Sequence, residues 1–155
     1  MKDSLFGKTL NELTALAIEL GLPKFTGKQM AEWLYQKDIS SIAEMTNLSK
    51  KARELLGDKY EFGLVDATKV QESVDGTKKY LFPTVQGKFV ETAMIPDDDR
   101  KTVCVSSQVG CKMGCLFCMT GKQGFQGQLT AGEIVNQIRT IPEWHEVSNI
   151  VYMGM

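Results

Sequence analysis

The sequence has no run of about 18 apolar residues, so no helix in it is expected to cross a bilayer. It lacks an apolar stretch near Met1-Lys2-Asp3-Ser4-Leu5-Phe6-Gly7-Lys8, so no secretory signal is expected and the default address is the cytoplasm. It lacks internal repeats and low-complexity tracts. With 43% hydrophobic and 24% charged residues, composition excludes a disordered tail, a collagen and a membrane bundle. Length, at 155 residues, allows one ordinary domain or two small ones.

Cysteine is missing from everything except residues 104–118, where all four lie. A secreted disulfide framework spreads its cysteines to close loops; four this close point to a metal or redox centre. A net charge of −1 excludes a polycation. Its distribution is uneven. Residues 1–99 carry 13 basic against 16 acidic side chains, whereas residues 100–139 carry five basic and one acidic. That local excess fits an anionic ligand, though charge alone favours a solvated face.

Residues 1–62 read as helices. Thr9-Leu-Asn-Glu12, Thr26-Gly-Lys-Gln29 and Ser41-Ile-Ala-Glu44 each match a capping box. The first is followed by Leu10, Leu13, Leu16, Ala17 and Leu20 at helical spacing, and Gly21 with Pro23 ends that helix. Met30, Trp33 and Leu34 follow the second and read as core. A third helix is expected near Ser41, and a fourth after Asn47 or Ser49, ending at Gly57. Residues 63–97 read as β-hairpins: a strand over 65–74, a turn at Asp75-Gly76, a return at Lys79–Phe82, a turn at Gln86-Gly87 and a strand over 88–95. The polar run 96–100 marks a boundary. Within 98–155, Thr102–Ser106 reads as a strand, Gly110–Gly127 as a loop, and Thr130-Ala-Gly-Glu133 as a capping box opening a helix with Ile134, Val135 and Ile138 inward. Asn149–Met153 reads as a buried strand, completing one βαβ unit of an α/β fold. One parallel pair with one helix cannot bury both its faces, so either more chain follows or this pair joins the hairpins of 64–95.

Cys111-Lys-Met-Gly-Cys115-Leu-Phe-Cys118 is C-x₃-C-x₂-C. Three thiolates on one Gly-bearing loop suit zinc or an iron–sulfur cluster. Structural zinc takes four closed ligands; candidates for a fourth are Cys104 and the sole histidine, His145. Three cysteines on a four-iron cluster leave one iron open to a substrate.

C-x₃-C-x₂-C with an aromatic before the last cysteine resembles the radical S-adenosylmethionine (SAM) superfamily. Further motifs are Cys104-Val-Ser-Ser-Gln-Val-Gly-Cys111, Cys118-Met-Thr-Gly, Gly124-Phe125 and Leu129-Thr130. To these add Phe25-Thr-Gly-Lys-Gln29, Trp33-Leu-Tyr-Gln36, Met45-Thr-Asn-Leu-Ser49 and Val90-Glu91-Thr92. Together they resemble the dual-specificity 23S rRNA and tRNA adenine-C2 methyltransferases, from about Leu10 to Met155.

This resemblance implies a helical RNA-binding accessory domain (1–62), a β-hairpin segment (63–97) and the start of a partial (β/α) radical-SAM barrel (98–155). It implies a [4Fe–4S] cluster on Cys111, Cys115 and Cys118 and SAM on its open iron, with Phe117 near the adenine. Gly154-Met155 would begin a Gly-Met-Gly-Glu-Pro motif that helps bind SAM. One SAM methylates a protein cysteine; a radical from a second SAM activates that methyl group, which adds to C2 of adenine. Glu91 matches the base that removes the C2 proton, a role for which burial is expected to raise its basicity. Cys104 matches the cysteine that resolves the protein–RNA adduct and can form a disulfide with the methyl-carrying cysteine. Lys24, Lys28, Lys50, Lys51 and Arg53 could contact phosphates. The implied partners are 23S rRNA, tRNA and a reducing electron donor such as flavodoxin, with a monomeric enzyme. Gly127-Gln128 departs from the Arg-Asn common at that place. The methyl-carrying cysteine and most of the barrel are expected downstream of Met155, so the 155-residue chain is expected to be inactive alone. An adenine-C8 methylating relative, or an RNA- or zinc-binding module, are the alternatives.

Overall fold

Thr9 caps the first helix through both halves of its predicted box: its hydroxyl accepts from the Glu12 N–H, and the Glu12 carboxylate accepts from the Thr9 N–H. In the computed structural model, which describes residues 2–153, the chain divides into two units, up to Leu64 and from Val65. The first contains β1 (Asp3–Ser4), α1 (Leu10–Glu19), α2 (Thr26–Gln36), a 3₁₀ turn (Ile42–Glu44), α3 (Lys50–Lys59) and β2 (Tyr60–Glu61), with β1 and β2 parallel. Leu13, Leu16 and Ala17 of α1 pack with Met30 and Leu34 of α2, Leu56 of α3, and Leu5, Phe6 and Met45. Trp33 lies partly buried at this core, and its indole N–H donates to Asn47.

Two of the expected starts differ. Thr26 does not cap α2. The chain is already helical at Phe25 (φ −65°, ψ −17°), because the Thr26 N–H bonds back to the Pro23 carbonyl. Thr26 is buried instead. Ser41 and Glu44 do form a capping box, but it closes only the three-residue 3₁₀ turn. Helix α3 starts at the cap Ser49 and runs through Gly57 to Lys59.

The second unit holds β3 (Lys69–Glu72), β4 (Lys78–Pro83), β5 (Phe89–Asp97), β6 (Arg100–Val105), β7 (Gln108–Val109), α4 (Met119–Lys122), β8 (Gly127–Gln128), α5 (Ala131–Arg139) and β9 (Asn149–Tyr152). Five strands form one sheet in the order β3-β4-β5-β6-β9, antiparallel except for the parallel pair β6–β9. The expected boundary at 96–100 is therefore a tight turn inside that sheet, with Asp98 in the left-handed region (φ 39°). Hairpins and βαβ unit are one structure.

Alternation along β5 and β6 decides the faces. Val90, Thr92 and Met94 are buried on one side, with Val103 and Val105 of β6. Ile134 and Ile138 of α5, with Ile141, cover this core. Val135 is 38% exposed rather than inward; the polar Asn136, Gln137 and Arg139 are the buried members of α5. Strand β9 is exposed throughout rather than buried, because it pairs on one side only, with β6. No helix among the described residues is long and apolar enough to cross a membrane.

Candidate functional site

The cysteine loop hangs from a two-stranded clasp. Gln108 and Val109 of β7 pair antiparallel with Gln128 and Gly127 of β8. The Gln126 N–H donates to the Val109 carbonyl and the Leu129 N–H to the Ser107 carbonyl. These bonds bring the two ends of residues 110–126 together beside the end of β6. Gly110 sits in the left-handed region (φ +72°), and a Cβ there would lie 1.8 Å from the Gly124 carbonyl oxygen. Only glycine permits both the turn and the approach. Gly110→Ala is therefore expected to open the loop, at a cost of about 1–3 kcal/mol from the backbone conformation alone. Urea unfolding and metal retention would read both effects.

Within the loop, Cys111, Cys115 and Cys118 are half-buried and outside any disulfide. The Cys118 N–H donates to the Cys115 carbonyl, and the Met113 N–H points at the Cys111 sulfur at 3.4 Å. Backbone N–H groups of Gly121 and Thr120 hold the Cys118 thiol below the ordinary thiol range, against a smaller opposing effect of burial. Thiolate is the ligating and nucleophilic form. Phe117, expected near an adenine, is 91% exposed, beside exposed Leu116 and Met113. Lys112 places its ammonium 4.3 Å from the centre of the Phe125 ring. Gly154 lies outside the described residues.

Cys104 and Glu91 share the sheet face opposite α5. Cys104 pairs with Ala93 across β5–β6, and Glu91 lies two residues before Ala93, on the same face. Cys104 is a half-buried free thiol; no disulfide forms among the four cysteines. Glu91 departs from expectation: its side chain is 50% exposed and ion-paired to Lys79 at 3.1 Å, not buried. The reason is its place on the uncovered face, with Lys79 on the neighbouring strand β4. A cavity of about 250 Å³ joins Glu91 to the clasp and loop. Its polar wall is Glu91, Ser106, Gln108, Thr120 and Gln123, with Gly110 at the loop's base.

Among the described residues, no three His, Cys, Asp or Glu side chains are grouped around a single ion position. His145, one candidate fourth zinc ligand, lies against Trp144, the rings tilted by 34°. A four-iron cluster places one thiolate on each iron rather than several on one ion. Three half-buried thiols on one clasped loop, one of them biased to thiolate, fit that donor set.

Comparison with known proteins agrees with this geometry. Residues 4–61 match the family model for the ribosomal RNA large subunit methyltransferase N-terminal domain, RlmN_N. A crystal structure of a radical SAM methyltransferase from Sphaerobacter thermophilus covers 99% of the chain and 47% of its own, at 36% identity and a TM-score of 0.87. The fold is thus similar to the matching part of a radical SAM methyltransferase. A probable dual-specificity RNA methyltransferase RlmN of Porphyromonas gingivalis is 56% identical over 97% of the chain. The corresponding protein of Bacteroides fragilis strain YCH46 is 55% identical over 99%, and that of Geotalea uraniireducens 49% over 95%. The chain belongs to the RlmN family and matches its N-terminal part. It spans less than half the length of these relatives, 43–45%.

Proposed function

We propose that this chain provides the RNA-contacting helical unit and the opening of a partial radical-SAM barrel in an enzyme that methylates C2 of adenine in 23S rRNA and tRNA. The observation that carries this reading is one arrangement. A clasped loop bears three cysteines, and the cavity beside it is walled by Glu91, which shares a sheet face with Cys104.

Cys111, Cys115 and Cys118 would hold a [4Fe–4S] cluster, which when bound supplies the one-electron cleavage of SAM. Phe117, exposed at the loop, would lie near the adenine of SAM when it is bound. Glu91 takes the C2 proton, from the wall of the cavity that would receive the base. Cys104 attacks, as thiolate, the sulfur of the methyl-carrying cysteine that bridges protein and RNA; the S–C bond breaks, the electron pair left on carbon takes a proton to complete the methyl group, and the two cysteines end as a disulfide. Lys24, Lys28, Lys50, Lys51 and Arg53 supply phosphate contacts. The setting is cytoplasmic, and a reducing partner such as flavodoxin feeds electrons to a monomer.

All four cysteines of this chain have roles in this scheme, so the methyl carrier is a further cysteine. The 155-residue polypeptide is accordingly expected to give no multiple-turnover methylation. A chimera tests the reading. The chain, continued by the remaining length of the Porphyromonas relative, is expressed in a bacterium lacking its own adenine-C2 methyltransferase. Nucleoside mass spectrometry of 23S rRNA and tRNA is expected to show 2-methyladenosine with the chimera and none with the 155 residues. Appearance of 8-methyladenosine would instead favour the C8 branch, and no modified adenine from a folded, iron-loaded chimera would overturn the proposal.

A further inference from the structure

We infer that Gln137 is a positioning residue, which fixes the backbone carrying Glu91 and Cys104 against the base of the cysteine loop. The inference rests on the functional reading above for what is being positioned, and on geometry for how.

Gln137 is completely buried in α5, on the face that packs against the sheet. Its side-chain oxygen accepts from the Ser106 N–H (2.8 Å) and from the Thr92 hydroxyl (2.7 Å). Its side-chain nitrogen donates to the Ser106 carbonyl (2.9 Å) and to the Glu133 carbonyl (3.2 Å). All four hydrogen-bonding positions of the amide are filled. Ser106 thus has both backbone groups bound by one side chain, as a neighbouring strand would bind them. The Ser106 hydroxyl in turn donates to the Glu91 carbonyl at 2.6 Å.

The placement of these partners gives the network its meaning. Thr92 follows Glu91 directly. Ser106 is two residues beyond Cys104 and two before the clasp strand β7. One amide therefore ties together the strand of the base, the strand of the resolving thiol and the root of the loop. Its neighbours Ile134 and Ile138 show that packing on this face is served by aliphatic side chains. A buried amide costs free energy unless every group is paired, and what full pairing supplies is orientation. Glu91 and Cys104 project from the opposite face, so Gln137 acts on them through the backbone. Misplacement of a reacting group by about 1 Å can lower a rate by roughly 10²-fold.

The test uses Gln137→Met, which keeps volume and removes the amide, and Thr92→Val, which removes one partner only. Ile141→Ala, in the same core, serves as a general destabilisation control. Hydrogen exchange in the 155-residue chain is expected to rise about tenfold at Ser106 in Gln137→Met. Alkylation of Cys104 by iodoacetamide should rise severalfold, with exchange elsewhere in the sheet unchanged. Thr92→Val should give a smaller change at the same amides, and Ile141→Ala a rise spread over the unit. In the chimera, Gln137→Met should retain iron and release 5′-deoxyadenosine while methylating RNA roughly 10²-fold more slowly, because the catalytic groups are displaced. Exchange at Ser106 that is unchanged, or that rises only as evenly as in Ile141→Ala, would overturn the inference. So would full methylation by Gln137→Met. If the unsubstituted chimera does not methylate RNA, the functional reading fails, and exchange and alkylation still decide whether the clamp exists.

Discussion

Replacing Cys111, Cys115 or Cys118 singly with alanine is expected to abolish iron retention, whereas Cys104→Ala leaves it intact. In the proposed site the three loop thiols would hold a cluster with one open iron and leave no spare ligand. Removing one bares a second iron to solvent and to loss. Affinity should fall by well over the roughly 10–100-fold that loss of a merely supporting group costs. Cys104 is a different case, since it stands on β6 opposite Ala93, on the sheet face shared with Glu91 and outside the loop. Iron and acid-labile sulfide assays after anaerobic reconstitution separate the two classes of cysteine. Iron loss in Cys104→Ala equal to that in the loop variants would reassign Cys104 as a ligand.

The second large effect concerns stability. Glu143 is buried in the second unit, where Lys78 donates to one carboxylate oxygen at 2.6 Å and the Tyr80 hydroxyl to the other at 2.8 Å. Glu143→Ala strands both donors, one of them on a buried tyrosine. The expected cost is about 3 kcal/mol, at the low end of the roughly 3–5 kcal/mol for breaking a buried pair, because Lys78 keeps 28% of its side chain exposed. Thermal or urea unfolding measures it. The same group predicts a pH dependence. Burial pushes the Glu143 carboxyl up, but the hydrogen bonds from Lys78 and Tyr80 outweigh it and hold it below its ordinary 4.5. A carboxyl lowered on folding binds protons more readily in the unfolded chain. Its stabilisation is thus complete above about pH 4.5 and lost as pH falls through the lowered value. Glu143→Gln should flatten the acid limb relative to the unsubstituted chain. Equal acid slopes would contradict this assignment.

Local chemistry was legible in the sequence where the deciding partners are local. Thr9, Ser49 and Thr130 each cap a helix whose third residue they reach directly. Asp75-Gly76 turns as expected, with Asp75 accepting from both the N–H and the hydroxyl of Thr77. Thr26 carries the same capping pattern and fails, because a preceding turn from Pro23 has already set the chain helical.

Longer-range relations were less legible. Asn149–Tyr152 has the apolar content of a buried strand, yet burial depends on a second neighbour that its own residues do not encode. The polar run at 96–100 reads as a boundary, yet it turns β5 onto β6 and so puts Glu91 and Cys104 on one face. Gln137 gave no signal at all. Helical periodicity picks out Ile134 and Ile138, and an amide between them reads as polar surface. Its partners Ser106 and Thr92 lie 31 and 45 positions away. The cysteine spacing, by contrast, is legible because the three thiols of the loop fall within eight residues.

The most direct test of the central claim is electron paramagnetic resonance of the anaerobically reconstituted, dithionite-reduced chain, recorded before and after addition of SAM. A reduced [4Fe–4S] signal on Cys111, Cys115 and Cys118 that changes shape when SAM binds the open iron is the predicted result. Zinc without iron, or an iron signal indifferent to SAM, would contradict it.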